Sequence, residues 1–134
     1  MRSMIEKGIQ GIRTVLVDAN NTASAVGSGT LEVFATPAMI ALVEATACGS
    51  VAPFLEPETS TVGTHLDIAH TAATPVGLEV TCRTVLAEVD GRRLVFSVTV
   101  EDPCGEIGSG THERFIVDDA RFMSKAGSKL ARTR

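Results

Sequence analysis

Residues 34–55 (FATPAMIALVEATACGSVAPFL) constrain the fold most, because they are apolar almost throughout and carry one ionisable side chain, Glu44. Thr36 followed by Pro37 is typical of a helix start, with a hydroxyl at the N-cap and a proline at the first helical position. Apolar residues fall on nearly every face, which predicts a buried helix of about 18 residues. Glu44 near its centre and Pro53 near its end argue against a membrane span.

The chain has 134 residues, which fits a single domain over residues 1–134 with its own core. The N-terminus has no apolar run of signal-peptide length, so we expect a cytoplasmic protein. Cys48, Cys82 and Cys104 are an odd number of widely spaced cysteines without a CxxC pair. This pattern predicts reduced thiols and no metal site.

The charge is unevenly distributed along the chain. The formal net charge is −4, yet residues 121–134 hold five basic side chains and no acidic one. This basic tail is interpreted as a solvated end of the chain, the alternative being a surface that attracts a phosphorylated ligand. The acidic body lacks Trp and Tyr for base stacking, so no nucleic-acid partner is expected.

The order of predicted elements is strand, loop, helix and then four strands. The first strand covers residues 8–18, and residues 19–29 form a loop with a short strand or turn near Ala25. The later strands cover residues 61–70, 78–89, 93–101 and 106–117, with Asp90-Gly91 as the strongest hairpin signal. One helix against one antiparallel sheet is an α+β architecture. Because the helix is apolar on more than one side, we expect a second copy of the chain to cover it in a homodimer.

Glu44 and His70 are the first candidates for chemistry. The positions three and four residues from Glu44 on the helix carry no basic side chain, which favours a tertiary partner or a functional carboxylate. The alternative is a carboxylate in water or in a structural ion pair. His70 ends a strand-like run, and His65 should face the opposite side of the sheet unless a bulge intervenes.

Thr36 is the third candidate. Its hydroxyl either caps the helix or, together with the helix N-terminal amides, holds a developing oxyanion. Eight residues at 1.5 Å rise put Thr36 about 12 Å from Glu44 along a straight helix. A shared site therefore needs a substrate that spans both side chains, or two subunits that each supply one.

Four sequence stretches resemble one known family. They are VFATPAMIALVE (residues 33–44), VGTHLDIAHTAATPVGLEVT (62–81), EVDGRRL (88–94) and EIGSGTHERF (106–115). Together they resemble the fluoroacetyl-CoA thioesterase branch of the hotdog-fold proteins over roughly residues 30–117. The resemblance implies a hotdog fold, in which an antiparallel sheet of about five strands wraps one long buried helix.

The resemblance also implies a function and a site. The activity would be an acyl-CoA thioesterase that converts a short or small acyl-CoA and water into a carboxylic acid and free CoA. The family's catalytic residues correspond to Thr36, Glu44 and His70, with Glu44 acting as general base or as nucleophile. Gly63 falls in the segment that lines the acyl pocket, and Arg114 falls beside the site. No metal or prosthetic group is implied, since CoA enters as part of the substrate, and the homodimer could pair further into a tetramer.

One departure and two alternatives accompany this interpretation. The phenylalanines that gate the family's fluorinated substrate correspond to Gly27 and Thr30, so the resemblance implies the hydrolytic residues without specifying that acyl group. A non-catalytic acyl-CoA-binding or sensor protein would not need an intact set of Thr36, Glu44 and His70. A hotdog hydroxyacyl-CoA dehydratase would use a histidine and an acid in a different local motif, which this sequence does not contain.

Overall fold

The computed structural model describes residues 5–133 and consists of one antiparallel sheet with a long helix packed across it. The strands are β1 (Gln10–Leu16), β2 (Thr59–His70), β3 (Glu79–Asp90), β4 (Arg93–Asp102) and β5 (Gly105–Asp118). Their spatial order is β1-β3-β4-β5-β2, so β1 and β2 are the two edges. Between them in sequence come the short helix α1 (Ala23–Val26) and the long helix α2 (Thr36–Val51), which a 3₁₀ turn (Ala52–Phe54) extends. The predicted α+β architecture with about five strands is confirmed.

The core lies between α2 and the inner face of the sheet. The strands alternate, so that every second residue from Val80 to Leu86 in β3 and from Leu94 to Val100 in β4 is buried. The largest fully buried apolar side chains of this core are Phe34, Met39, Leu86, Leu94, Phe96 and Ile107, followed by Val17, Val43, Val51, Val80 and Val100. By length and composition alone Thr36–Phe54 could cross a membrane, and packing on the sheet accounts for the apolar character of the face that it buries.

The start of α2 differs from the sequence interpretation. Ala35 occupies the N-cap position without a side-chain hydrogen bond, and Thr36 is already the first helical residue. Thr36 does not cap the helix because it lies one residue beyond the N-cap position, and its hydroxyl contacts His70. The Thr36 hydroxyl therefore contacts the end of β2 rather than the helix backbone.

The second face of α2 is only partly covered within one chain. Ala41 and Gly49 are exposed, and Ile40, Glu44 and Cys48 are intermediate in burial. Thr36, Ile40, Glu44 and Cys48 follow one another at intervals of four residues and so form a single stripe along the helix. This stripe runs beside the edge strand β2.

β2 has one unpaired edge and one irregularity. It pairs with β5 on one side only, and the register shifts between Gly63 and His65, which leaves Thr64 as the extra residue of a bulge. Beyond the bulge, His65 pairs with Glu113 and His70 with Gly108, so the two histidines face opposite sides of the sheet. The predicted opposition of His65 and His70 is confirmed, because the bulge precedes both.

The turns between β3, β4 and β5 lie where they were predicted. Gly91 has φ +62° in the β3–β4 hairpin, and Gly105 has φ +140° where β5 begins. The loop near Ala25 forms the helical turn α1, not a strand, because the Thr22 hydroxyl accepts a hydrogen bond from Ala25 N at 3.2 Å. The cap at Thr22 therefore makes this segment helical rather than extended.

The C-terminal segment was predicted as a solvated tail but is helical over most of its length. It forms α3 (Asp119–Gly127) and α4 (Lys129–Arg132), and none of the residues of either helix is buried. The Asp118 carboxylate caps α3 by accepting from Arg121 N at 3.0 Å. A helix that buries so little leaves a weak sequence signal.

Candidate active site

Thr36 and His70 meet at the N-terminal end of α2. The Thr36 Oγ1 lies 2.8 Å from the His70 Nδ1, and the two residues come from the first turn of α2 and the last position of β2. The other ring nitrogen of His70, Nε2, is buried and has no hydrogen-bond partner among the described residues. A buried imidazole nitrogen without a protein partner is unusual, and it makes His70 a candidate for a functional role.

A cavity of about 270 Å³ opens beside this pair, and both Thr36 and His70 line it. Part of its wall is the loop that follows β2, and the buried Thr74 anchors that loop. The Thr74 hydroxyl donates to the Asp102 carboxylate at 2.8 Å, and its carbonyl accepts from Phe34 N at 2.8 Å. These two bonds fix the wall of the cavity.

Glu44 has a tertiary partner, as the absence of a basic neighbour on α2 indicated. Arg114 Nη1 lies 3.4 Å from the Glu44 Oε2, and the side chains are 7% and 42% exposed, respectively. Glu44 is therefore at the edge of the buried region in a single chain, with its partner nearly fully enclosed. Because the pair is half open to solvent, its contribution to stability is small.

Arg114 is held rigidly. Its Nε donates to the Thr61 hydroxyl at 2.8 Å, its Nη2 donates to the Thr61 carbonyl at 2.9 Å, and its Nη1 lies 3.1 Å from the His112 Nε2. These contacts hold the planar guanidinium in one orientation, in which its Nη1 also contacts the Glu44 carboxylate.

Gly63 is packed directly against this cluster. A Cβ atom at position 63 would overlap the Glu44 Oε2 and would lie 3.2 Å from the His112 Cε1 and 3.3 Å from the Arg114 Nη1. The absence of a side chain at this position is therefore what allows the carboxylate to approach β2.

His112 is a member of the cluster that the sequence analysis did not assign. It is fully buried, its Nδ1 lies 2.8 Å from the His65 carbonyl oxygen, and its ring stacks on Phe96 with centroids 6.3 Å apart. Burial is the main cause that lowers the pKa of His112 below its ordinary value, and the nearby Arg114 charge lowers it further. The signal was present in the sequence, since residues 112 and 114 of one strand share a face.

The candidate residues form two separate clusters within one chain. Thr36 and His70 make the first, and Glu44, Gly63 and Arg114 make the second. The clusters are about 12 Å apart along α2 and about 20 Å apart along β2. One chain therefore does not bring the predicted catalytic threonine, glutamate and histidine into mutual contact.

No group of three or more His, Cys, Asp or Glu residues that could hold a metal ion occurs within residues 5–133. The thiol of Cys82 is buried, and burial raises its pKa. Cys82 therefore supplies no thiolate to either cluster.

Solved structures with this fold define the class of protein. A solved fluoroacetyl-CoA thioesterase is 37% identical and superposes with a TM-score of 0.89, covering 93% of this chain and 97% of that chain. A threonine-to-serine variant of that enzyme was solved in complex with acetyl-CoA. A hot-dog-like protein from Thermanaerovibrio acidaminovorans is 21% identical with a TM-score of 0.84 and covers 92% of this chain and 91% of that chain. The fold is therefore that of the hotdog class, which includes thioesterases.

The sequence places the chain within this class. The family model described as fluoroacetyl-CoA-specific thioesterase matches residues 17–120. The fluoroacetyl-CoA thioesterase of Streptantibioticus cattleyicolor is 46% identical over 98 residues, which cover 73% of this chain and 70% of that protein. The chain belongs to the fluoroacetyl-CoA-specific thioesterase family and is a thioester hydrolase, as the resemblance predicted.

Proposed function

We propose that the protein hydrolyses short acyl-CoA thioesters at a site that two chains of a homodimer build together. The observation that carries the proposal is the 2.8 Å contact between the Thr36 Oγ1 and the His70 Nδ1 beside a cavity, with the His70 Nε2 buried and unpartnered within residues 5–133. This arrangement supplies a hydroxyl and an imidazole at one point, which is what proton transfer at a thioester carbonyl requires. No cofactor beyond the CoA of the substrate takes part.

Glu44 supplies the carboxylate. Its Oε2 is engaged by Arg114, and its side chain is 42% exposed in one chain, so it can face a second chain. As a general base, Glu44 takes a proton from water while the water oxygen bonds to the thioester carbonyl carbon. The tetrahedral intermediate then breaks its C–S bond, and His70 delivers a proton to the departing CoA thiolate. As a nucleophile, a Glu44 oxygen bonds to that carbon, the C–S bond breaks, and the CoA thiolate leaves with a proton from His70. Water then cleaves the resulting anhydride, which releases the carboxylic acid and regenerates the Glu44 carboxylate.

Thr36 orients the carbonyl and its oxyanion at the N-terminus of α2. The first amides of a helix have no intrahelical acceptor and point toward such a group, and the helix dipole favours negative charge there. In this role the His70 Nδ1–H donates to the Thr36 oxygen, which leaves the hydroxyl proton free to donate to the oxyanion. Together they stabilise charge that develops only during the reaction.

The edge strand β2 is the proposed dimer contact. Its outer edge has no partner strand in one chain, and Leu66 on its inner face is 39% exposed. An antiparallel pairing of two β2 strands about a two-fold axis near Asp67 sets His70 of one chain opposite Gly63 and Thr64 of the other. Such a pairing brings Glu44 of one subunit to Thr36 and His70 of its partner, and pairing of dimers into tetramers is compatible with it.

Release of free CoA thiol from a panel of acyl-CoAs tests the function. We expect turnover of acetyl-CoA and other small acyl-CoAs by the wild type and a loss of at least about 10²-fold in Glu44→Ala. Wild-type turnover in that variant would refute the role of Glu44. Binding of acyl-CoA without thiol release would favour a sensor protein, and dehydration of a hydroxyacyl-CoA would favour a dehydratase.

The acyl group is proposed to be small but not restricted to a fluorinated one. Gly27 and Thr30 are exposed, and nothing lies within 4 Å of a Cβ built at Gly27. Without an aromatic ring at these two positions, we propose weaker discrimination between acetyl-CoA and fluoroacetyl-CoA than a gated pocket would give. The ratio of kcat/KM for fluoroacetyl-CoA to kcat/KM for acetyl-CoA measures this discrimination.

A further inference from the structure

The Glu44 cluster contains a buried contact between an imidazole and a guanidinium. The Arg114 Nη1 lies 3.1 Å from the His112 Nε2 and 3.4 Å from the Glu44 Oε2. The Arg114 Nη1 is therefore shared between two acceptors, the His112 imidazole and the Glu44 carboxylate. The other hydrogen bonds of the guanidinium go to Thr61.

The contact specifies the tautomer of His112. A guanidinium can only donate hydrogen bonds, so the His112 Nε2 must carry its lone pair toward Arg114. The proton then resides on Nδ1, which donates to the His65 carbonyl oxygen at 2.8 Å. Only the neutral Nδ1–H imidazole satisfies both neighbours at once.

The surroundings keep His112 in this form. Arg114 and Glu44 face it across the cluster, and Glu113 lies next to it in β5. Burial and the Arg114 charge lower the pKa of His112, against the opposing effects of the His65 carbonyl and the two glutamates. Stacking on Phe96 restricts the tilt of the ring.

We propose that His112 is a positioning residue, which as a neutral hydrogen-bond acceptor orients the Arg114 guanidinium and thereby holds the Glu44 carboxylate beside Gly63. This inference rests on the proposed role of Glu44 and extends it to a residue that need not contact substrate. Charging or replacing the imidazole releases Nη1, and the carboxylate then loses its defined position.

Two matched substitutions separate the two hydrogen bonds of His112. His112→Gln sets an amide oxygen near the place of Nε2 and keeps an acceptor for Arg114. His112→Asn sets an amide near the place of Nδ1 and keeps only the donor to the His65 carbonyl. Both remove the ring, so their losses of thermal stability should be similar.

We expect His112→Gln to retain kcat within about 3-fold and His112→Asn to lower kcat by about 10–100-fold with KM nearly unchanged, because small displacements of a reacting group slow the chemical step. In a Glu44→Ala background, His112→Asn should cause no additional loss, because the two residues act as a unit. Equal loss in both His112 variants, or a full additional loss without Glu44, would overturn the inference.

Nitrogen-15 NMR of the imidazoles gives a readout independent of turnover. We expect His112 to be neutral and protonated on Nδ1 above pH 6.5, the ordinary value from which its pKa is lowered, and its signal to shift in Arg114→Ala. A neutral ring protonated on Nε2, or a charged ring, would overturn the inference even in an enzyme that hydrolyses acyl-CoA. If the wild type hydrolyses no acyl-CoA, the proposed function fails, and the NMR result still decides whether His112 accepts from Arg114.

Discussion

Gly63 and Glu44 are in such close contact that a methyl group on Gly63 would overlap the Glu44 Oε2. The contact joins the edge strand to the middle of the long helix, at the point where Arg114 also reaches the carboxylate. The position of the Glu44 carboxylate thus depends on the absence of a side chain at residue 63.

Gly63→Ala should therefore displace the Glu44 carboxylate. We expect kcat to fall by about 10–100-fold, with little change in the free energy of unfolding, because the atom that the new methyl group displaces is the movable end of the half-exposed Glu44 side chain. Thiol-release kinetics and urea denaturation measure the two effects. Gly49→Ala is the matched control, because a Cβ there meets nothing within 4 Å. Gly49→Ala should stabilise α2 by about 0.5–1 kcal/mol without loss of activity.

The Thr36 hydroxyl should be required for turnover, whereas its methyl group should not. Thr36→Val keeps the shape of the side chain but removes the atom that contacts the His70 Nδ1, so kcat should fall by about 10–100-fold. Thr36→Ser keeps that atom and should retain most of the activity. Steady-state kinetics with acetyl-CoA compare the two variants. Equal activity in both would show that the hydroxyl has no part in the reaction.

Mixing two inactive variants should restore activity if each site uses two chains. Glu44→Ala and His70→Ala chains, unfolded and refolded together, form heterodimers in which one site has both side chains intact. Random pairing should then return about a quarter of the wild-type sites. Thiol release before and after mixing measures the recovery, and mass spectrometry of the intact dimers confirms that heterodimers form. Heterodimers without recovery would place the complete site within one chain.

Stability should depend on pH through His112. Its pKa is lowered in the folded protein from an ordinary value of 6.5, so the unfolded chain binds the proton more readily. The stabilisation is fully present above pH 6.5 and is lost as the pH falls from there through the lower pKa of the folded state. Urea denaturation between pH 5 and 8 should show this slope in the wild type and a smaller one in His112→Gln. An identical slope in both would assign the dependence to other groups.

The sequence was sufficient for the parts of the fold that local chemistry specifies. The apolar run with Thr36-Pro37 at its start predicted the long helix, and Asp90-Gly91 predicted the hairpin, where Gly91 has φ +62°. The helix α3 was missed because none of its residues is buried. The sequence signals for α3 were Asp118 as its cap and a short amphipathic pattern, and both are weak evidence for a helix in a basic segment.

The site was predictable only in part, because its contacts join residues far apart in the chain. Helix geometry alone indicated that Thr36 and Glu44 do not meet within one chain. The contact of Thr36 with His70 and the role of Arg114 as partner of Glu44 depend on the register of β2 against β5, which no local pattern specifies. His112 had a sequence signal, because it shares a strand face with Arg114, but its contact with the His65 carbonyl depends on the same register.

The bulge at Thr64 has a consequence for how β2 tolerates change. Gly63 and His70 are an odd number of residues apart, so in a regular strand they would point to opposite faces, yet the extra residue turns both toward the helix. Shortening this segment by one residue would send either the imidazole or the glycine to the solvent side. The number of residues between these two positions therefore cannot change by one without placing them on opposite faces of the sheet.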